Sequence, residues 1–311
     1  MKISVIIPTH NRLNILKQCL QYLDAQTLDK DKFEIIIVDD GSTDGTDKIK
    51  DTFFESLDLN IKYFHQNQGG PAKARNKAIK EATNDLLVII GDDILPKPDF
   101  LNEHLNIHCQ HPDQNIAVIG KTSWDPSMQI TEFMQYLENG IQFAFNELTN
   151  DNISFKHCYT SNISISKSFL IKPNLLFMEA FPYAAYEDIE WGYRLSKNGI
   201  TFRYNENAKA YHHHPISLKD YKKRMFYAGK ACAYLCKLHP EIGFTKKSAS
   251  KKLYLLEKWF KASYMEFILE NNFLSKFCNI SKIKQEKWIK TILSYYEEKG
   301  FREENAKLSN K

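Results

Sequence analysis

Two adjacent acids, Asp92 and Asp93, follow directly on the apolar run 86–90 and Gly91. That run is short and has no polar face, as a strand buried on both sides must be. Carboxylates at the end of such a strand repel each other unless a cation or a donor-rich ligand holds them. A plain turn opened by Asp and closed by Pro96 would use the same residues. A second acid pair, Asp39 and Asp40, ends another apolar run, 35–38. A third, Glu187 and Asp188, opens a stretch of helical spacing, where acids also suit the positive end of a helix dipole. Three consecutive histidines, His212, His213 and His214, close a short strand-like stretch. On a strand the first and third share a face that the second does not.

The elements that must position these groups alternate. Strands are predicted at 3–7, 34–38, 61–64 and 86–90. Helices are predicted at 13–25, from the N-cap candidates Ser42, Thr43 and Asp44 to 54, and from Pro71 to 82. Four rounds of strand, loop and helix in about 110 residues make a parallel sheet with helices on both faces. Its polar clusters fall at the carboxyl ends of strands, so Thr9, Asp39, Asp40, Asn67 and Asp92 should line one edge. Further on, helices are expected at 99–111, 130–145 and 186–195, the last stopped by Asn198-Gly199. Strands are expected at 117–120, 157–165, 202–204 and 208–212. Beyond Pro215 three helical patterns follow, 218–237, 253–269 and 283–296, with a frayed tail from Glu303. The chain thus divides into 1–215 and a basic, mainly helical 216–311.

The 311 residues are 43% hydrophobic and 26% charged, ordinary globular values with ample core. No apolar run is long enough to cross a bilayer. Met1 leads straight into 3–7 without a basic n-region, so no signal peptide is expected. The six cysteines are scattered and read as reduced thiols, which places the chain in the cytoplasm. Residues 1–210 carry 21 Lys and Arg against 28 Asp and Glu, whereas 211–311 carry 21 against 10. A basic back suits an anionic lipid surface or charged glycan, and equally suits solvated helix faces. There is no G-x-G-x-x-G after the first strand and no G-x-x-x-x-G-K-[ST]. A dinucleotide dehydrogenase and a P-loop hydrolase are therefore disfavoured.

Six segments in order resemble those of the family 2 glycosyltransferases. They are Val5-Ile-Ile-Pro-Thr-His-Asn-Arg12, Val38-Asp-Asp-Gly-Ser-Thr-Asp-Gly-Thr46, Asn67-Gln-Gly-Gly-Pro-Ala-Lys-Ala-Arg-Asn76, Gly91-Asp-Asp-Ile-Leu-Pro96, Glu187-Asp-Ile-Glu-Trp-Gly-Tyr-Arg-Leu195 and Tyr211-His-His-His214. The resemblance covers 1–215 and implies the α/β GT-A fold, a Rossmann-like, mostly parallel sheet, ahead of the helical region. It implies an inverting transferase that moves a hexose or N-acetylhexosamine from a UDP-sugar to a hydroxyl of a glycan, glycolipid or glycopolymer. No nucleic acid is implied.

The resemblance also implies roles. Pro8, Thr9 and Asn11 border the nucleobase, and Asp40 accepts from an N–H on its edge, the pairing expected of uracil. Asn67 and Arg75 lie near the nucleotide and its phosphates; Arg75 on a surface helix could instead pair with Glu81 or Asp85. Gly91 stands where the family's D-x-D motif has its first acid, so either Asp92 takes over the ribose or that contact is lost. Asp93 matches the last acid and would hold Mn²⁺ or Mg²⁺ with His212 or His214, although an aromatic packing role suits the histidines too. Asp188 would be the general base, with Glu187 orienting acceptor or donor. Trp124 and Trp191 are candidate sugar platforms or plain core. The basic back could dock at the inner face of the membrane, bind the acceptor or build a homo-oligomer. Two rivals stay in view. A nucleotidyltransferase would want an early Gly-rich basic loop that is missing here, and a silent glycan-binding module would explain Gly91.

Overall fold

The computed structural model describes residues 1–112, 114–140, 145, 148–150, 153–243, 259, 261–267, 269 and 281–309. These divide into two compact units, one of 1–181 and 187–215, the other of 182–186 and 216–311.

In the first unit β1 (Ile3–Thr9), β2 (Phe33–Asp39), β3 (Ile61–His65) and β4 (Leu86–Ile90) run parallel in the order β3-β2-β1-β4. Their carboxyl ends therefore share one rim. β5 (Ile94–Pro96), β6 (Ile116–Trp124), β7 (Asn162–Ser166) and β8 (Thr201–His212) extend the sheet as β4-β7-β6-β8-β5. Only β6 and β8 pair parallel in that half; β4 with β7, β7 with β6 and β8 with β5 are antiparallel. The sheet is thus mixed, and its parallel part is the part that the alternating pattern 1–90 implied.

Both faces of β1, β2 and β4 are buried, which is why these strands are mostly apolar, whereas β3 at the sheet edge is half-buried and carries Lys62 and His65. Ile3, Val5, Ile7, Ile35, Ile37, Val88 and Ile90 pack with Leu16, Cys19, Leu20 and Leu23 of α1 (Leu13–Asp24). The intervening Ile6, Ile36, Leu87 and Ile89 are equally buried. α2 (Pro71–Glu81) packs on β1 and β2, with Ala74, Ala78 and Ile79 buried. α3 (Phe100–Gln110) lies on β8, β6 and β4. The shorter α4 (Glu132–Glu138) and α5 (Lys167–Leu170) follow, then α6 (Glu187–Lys197), which ends at Gly199 with φ +92°. That left-handed residue is the helix stop expected of Asn198-Gly199.

Several expected elements differ. The segment after β2 is not an α-helix to 54 but two 3₁₀ turns, Thr46–Asp51 and Phe54–Ser56. The N-cap is Gly45, at φ +90°, and not Ser42, Thr43 or Asp44; Asp44 instead serves two elements, its Oδ1 accepting from Thr46 N–H and its Oδ2 from Leu13 N–H at the start of α1. The helix expected over 130–145 is only α4, and 141–144 lie outside the described residues. The strand expected at 157–165 begins only at Asn162, because Phe155–His157 forms a 3₁₀ turn. The strands at 202–204 and 208–212 are one, β8, interrupted by a register shift opposite Gly120 and Thr122. There Asn205 Oδ1 accepts from Asn207 N–H, so a local turn breaks the alternation without ending the strand.

The second unit contains α7 (Leu218–Leu238) and α8 (Lys282–Ser309). α8 stays helical through the polar tail expected to fray from Glu303. A Cβ on Gly229 would meet the Glu297 carbonyl oxygen at 1.9 Å, and one on Gly300 the Phe226 carbonyl oxygen at 1.8 Å. The two helices therefore cross backbone to backbone, which only glycine permits. Glu304 is buried there and accepts from Tyr183 Oη at 2.6 Å. Of the helix expected at 253–269, the described residues 259, 261–267 and 269 are helical, while 253–258, 260, 268 and the lysine run 246–252 fall outside the described residues.

Candidate active site

The site is built on the rim where the four parallel strands end. β1 delivers Pro8 and Thr9, and the loop to α1 delivers Asn11 and Arg12. Asn11 has φ +53°, a left-handed conformation that asparagine tolerates. Its N–H donates to Ser42 Oγ at 2.8 Å, and its Oδ1 accepts from Thr43 N–H at 2.7 Å. The β1 and β2 loops are thereby stapled together at the edge expected to border a base.

Asp39 and Asp40 divide their work. Asp39 is fully buried and accepts from Tyr63 Oη at 2.6 Å and Ser42 N–H at 2.8 Å. Burial pushes its carboxyl up, but these donors outweigh burial and hold it below the usual range. Asp40 accepts from Gln66 Nε2 and Gly69 N–H on Oδ1, and from Gly70 N–H on Oδ2. Its carboxylate thus shapes the glycine loop ahead of α2, and one lone pair of Oδ2 is left for a ligand. Asn67 stands exposed on that loop. Gly70, at φ +88°, lets the chain turn into α2.

Beyond β4, Asp92 accepts from Thr9 Oγ1 at 2.7 Å and from Arg12 Nη1 at 2.9 Å. Asp93 accepts from the same Nη1 at 2.6 Å. β5 then pairs with β8 so that Ile94 lies opposite His212, and β6 places Trp124 opposite the same histidine. This pairing carries the far end of the chain to Asp93, a proximity that sequence spacing cannot reveal. Asp93 Oδ2 lies 3.2 Å from His212 Nε2 and 3.4 Å from His214 Nδ1. The two imidazoles stack with centroids 5.4 Å apart. His213 points elsewhere, as alternation requires: its Nδ1 is 2.6 Å from Asp125 Oδ2, while its N–H donates to the Asp93 carbonyl.

Asp93, His212 and His214 are the sole group of three metal-binding types found among the described residues, with one ligand atom of each within 4.8 Å of the others. These acceptors converge on a positive charge, for Arg12 Nη2 also donates to His214 Nδ1 at 2.7 Å. A carboxylate and two imidazoles gathered at one point fit a divalent cation once His212 Nε2 gives up the proton it donates to Asp93 Oδ2, and the imidazoles favour Mn²⁺ over the oxygen-seeking Mg²⁺. Burial raises the Asp93 carboxyl, but His212 and Arg12 outweigh it and hold it well below the usual range. Asp92 goes the other way, raised by burial and then by the charge of Asp93. A Cβ on Gly91 would sit 2.7 Å from Asp93 Oδ1. The missing first acid of D-x-D therefore leaves room for the second carboxylate in the position it takes here.

The acid pair at the start of α6 reaches the same rim through Arg75. This residue stands in the first half of α2, and its Nη1 lies 3.5 Å from Glu187 Oε1. Its guanidinium also lies over the Phe177 ring. Arg75 is thus paired with Glu187 and not with Glu81 or Asp85. Asp188 is half-buried, and its Oδ1 accepts from Ile189 N–H. The preceding Tyr186 has φ +63°, a conformation a bulky residue seldom adopts.

Both tryptophans are core. Trp191 is fully buried, donating to the Leu175 carbonyl. Trp124 is 4% exposed, donates to the Met134 carbonyl and stacks on His212. Neither offers a face to a sugar, and Trp124 serves instead to hold His212. Sequence reasoning gave no role to Arg12 or Asp125. Arg12 lies inside a quoted motif and could have been found there, whereas Asp125 carries no local signal.

The sequence profile described as "Glycosyl transferase family 2" matches residues 4–172. A chondroitin synthase of Escherichia coli is 30% identical over 244 residues, 68% of this chain and 35% of that protein. The chain thus spans about a third of that relative's length. Among solved structures, residues 1–349 of Staphylococcus aureus TarS in complex with UDP align with a TM-score of 0.57 at 21% identity. That alignment covers 97% of this chain and 92% of the other. A mannosyltransferase from Pyrobaculum calidifontis, in complex with GDP-Man and Mn²⁺, gives 0.64 at 18% identity, covering 98% and 87%. At these identities the likeness is one of fold, the GT-A arrangement the sequence led us to expect.

Proposed function

The chain belongs to glycosyl transferase family 2, and from that premise we propose that it is an inverting, metal-dependent transferase that takes a hexose or N-acetylhexosamine from a UDP-sugar. The acceptor is a hydroxyl of a glycan, glycolipid or glycopolymer. The observation that carries this reading is the meeting of Asp93, His212 and His214 on the rim that also holds Thr9, Asp40 and Asp92.

In this reading the β1 and β2 loops border the uracil, and the remaining Oδ2 lone pair of Asp40 faces its imide N–H. Thr9 and Arg12 fix Asp92, which stands in for the absent first acid toward the ribose. Asp93, His212 and His214 would hold Mn²⁺, which when bound offsets the charge that grows on the departing diphosphate. Arg75 adds a fixed positive charge near the phosphates, and Glu187 ties it to α6. Asp188 takes the proton from the acceptor hydroxyl as that oxygen bonds to the anomeric carbon. On the opposite face the bond to the diphosphate breaks, and UDP leaves with the electron pair. A placed base of this kind contributes roughly 10²–10⁴-fold, and alignment of the two substrates supplies much of the rest.

A screen of UDP-sugars for UDP release, with and without Mn²⁺, tests the proposal. At least one donor should be consumed only with metal present. Silence across every donor would favour a binding module.

A further inference from the structure

Arg12 takes no part in the roles assigned above beyond steadying Asp92, yet it contacts three side chains of the site, Asp92, Asp93 and His214. Its Nη1 bridges Asp92 Oδ1 and Asp93 Oδ2 at 2.9 and 2.6 Å, and Nη2 reaches His214 Nδ1 at 2.7 Å. A guanidinium only donates. His214 Nδ1 must therefore accept here, which places its proton on Nε2 and aims the Nδ1 lone pair at Arg12. Asp93 Oδ2 is likewise the oxygen nearest both His212 and His214. The atoms that grip Arg12 are thus two of the atoms a divalent ion would need.

We propose that Arg12 is an internal competitor of the divalent ion: guanidinium and ion claim the same lone pairs of Asp93 and His214, so the ion binds only as Arg12 lets go. The inference rests on the reading of Asp93, His212 and His214 as the metal ligands. Two features make the exchange feasible. The Arg12 side chain is 33% exposed, so it can turn toward solvent without crossing the core. The start of α1 does not depend on it, because Asp44 caps Leu13 and the Arg12 backbone carbonyl accepts from Leu16 N–H. Asp92 keeps Thr9 as a partner when Arg12 leaves. The competitor has a cost and a benefit. It weakens binding of the ion, and it holds together two carboxylates that otherwise repel each other.

The test is Mn²⁺ titration of the purified, metal-stripped protein, with melting temperatures taken alongside; no turnover is needed. Arg12→Met keeps the length of the side chain without its charge. It should bind Mn²⁺ at least about tenfold more tightly than wild type, about 1.4 kcal/mol. It should melt lower without metal and gain more on adding Mn²⁺. Arg12→Lys, whose single ammonium cannot span all three acceptors, should fall between and serves if the methionine variant fails to fold. Asp93→Asn separates the two levels of the argument. If Asp93→Asn retains wild-type Mn²⁺ affinity, the ion binds elsewhere, and the metal reading falls together with this proposal. If Asp93→Asn loses the ion while Arg12→Met binds it no more tightly than wild type, this proposal alone falls.

Discussion

Asp93 and Gly91 depend on each other. The carboxylate that faces both histidines fills space that any side chain at position 91 would contest, at 2.7 Å from Oδ1. Because the contested atom is the far end of a side chain, it can yield, but only by leaving its place beside His212 and His214. Gly91→Ala is therefore expected to weaken Mn²⁺ binding by about three- to tenfold, up to about 1.4 kcal/mol, with little change in melting temperature. Titration of the metal-stripped variant checks this, and unchanged affinity would mean that Asp93 binds from another position. At this scale the sequence was legible where the chemistry is local. Thr9, Asp40, Asp92 and Asp93 all reach the rim because each follows a parallel strand. For His212, His213 and His214 the alternation of a strand already separated the second from the other two, but their meeting with Asp93 was not legible, because it depends on the pairing of β5 and β8. Nor was the sequence legible for Trp124 and Trp191, since surface and core tryptophans look alike in one sequence.

α3 is docked by hydrogen bonds as well as by apolar packing. His104 lies fully buried between Ser164 and Asn162 of β7, at 2.8 Å from each, and His108 Nε2 reaches the same serine at 2.9 Å. Burial is the first cause that pushes His104 down to about 3 and His108 to about 4, from an ordinary 6.5. Both stay neutral in the fold, whereas the unfolded chain takes up protons as pH falls through 6.5. Their contribution is whole above that value and drains away from about 6.5 down to about 4 for His108 and about 3 for His104. For His104 the loss from pH 7 to pH 5 is on the order of 2 kcal/mol. His104→Asn should lower the melting temperature at pH 7 yet make its fall toward pH 5 shallower. An equally steep fall would mean that other groups set the acid limit. Among the elements, β1, β2 and β4 are readable because burial on both faces leaves an apolar run between turn residues, and the half-buried edge strand β3 follows from the alternation around them. The segment 46–56 misleads because Asp44, a residue type that suits an N-cap, precedes the actual N-cap Gly45 and spends one oxygen on α1. β8 misleads because the Asn205 turn looks like a strand end although the ladder resumes beyond it.

Charge is the property that belongs to the whole chain. Residues 1–210 are acidic overall and 211–311 carry 11 more positive than negative side chains. The helical unit also exposes Tyr264, Phe267 and Ile283 near Lys261 and Lys284. No helix among the described residues is long and apolar enough to cross a membrane. Peripheral docking on an anionic surface fits these features. In flotation assays the protein should rise with vesicles containing anionic lipid, less so as salt is added, and not with neutral ones. No recruitment by anionic vesicles would leave acceptor binding or self-association as the use of the basic face. The central reading concerns the rim of the first unit, and Asp188→Asn tests it most directly through paired measurements of sugar transfer and UDP affinity. Transfer should fall at least about a hundredfold, while UDP binds within about twofold of wild type, a difference below about 0.5 kcal/mol. A variant that transfers at the wild-type rate, or loses UDP binding while keeping its turnover, would contradict the assignment of the proton to Asp188.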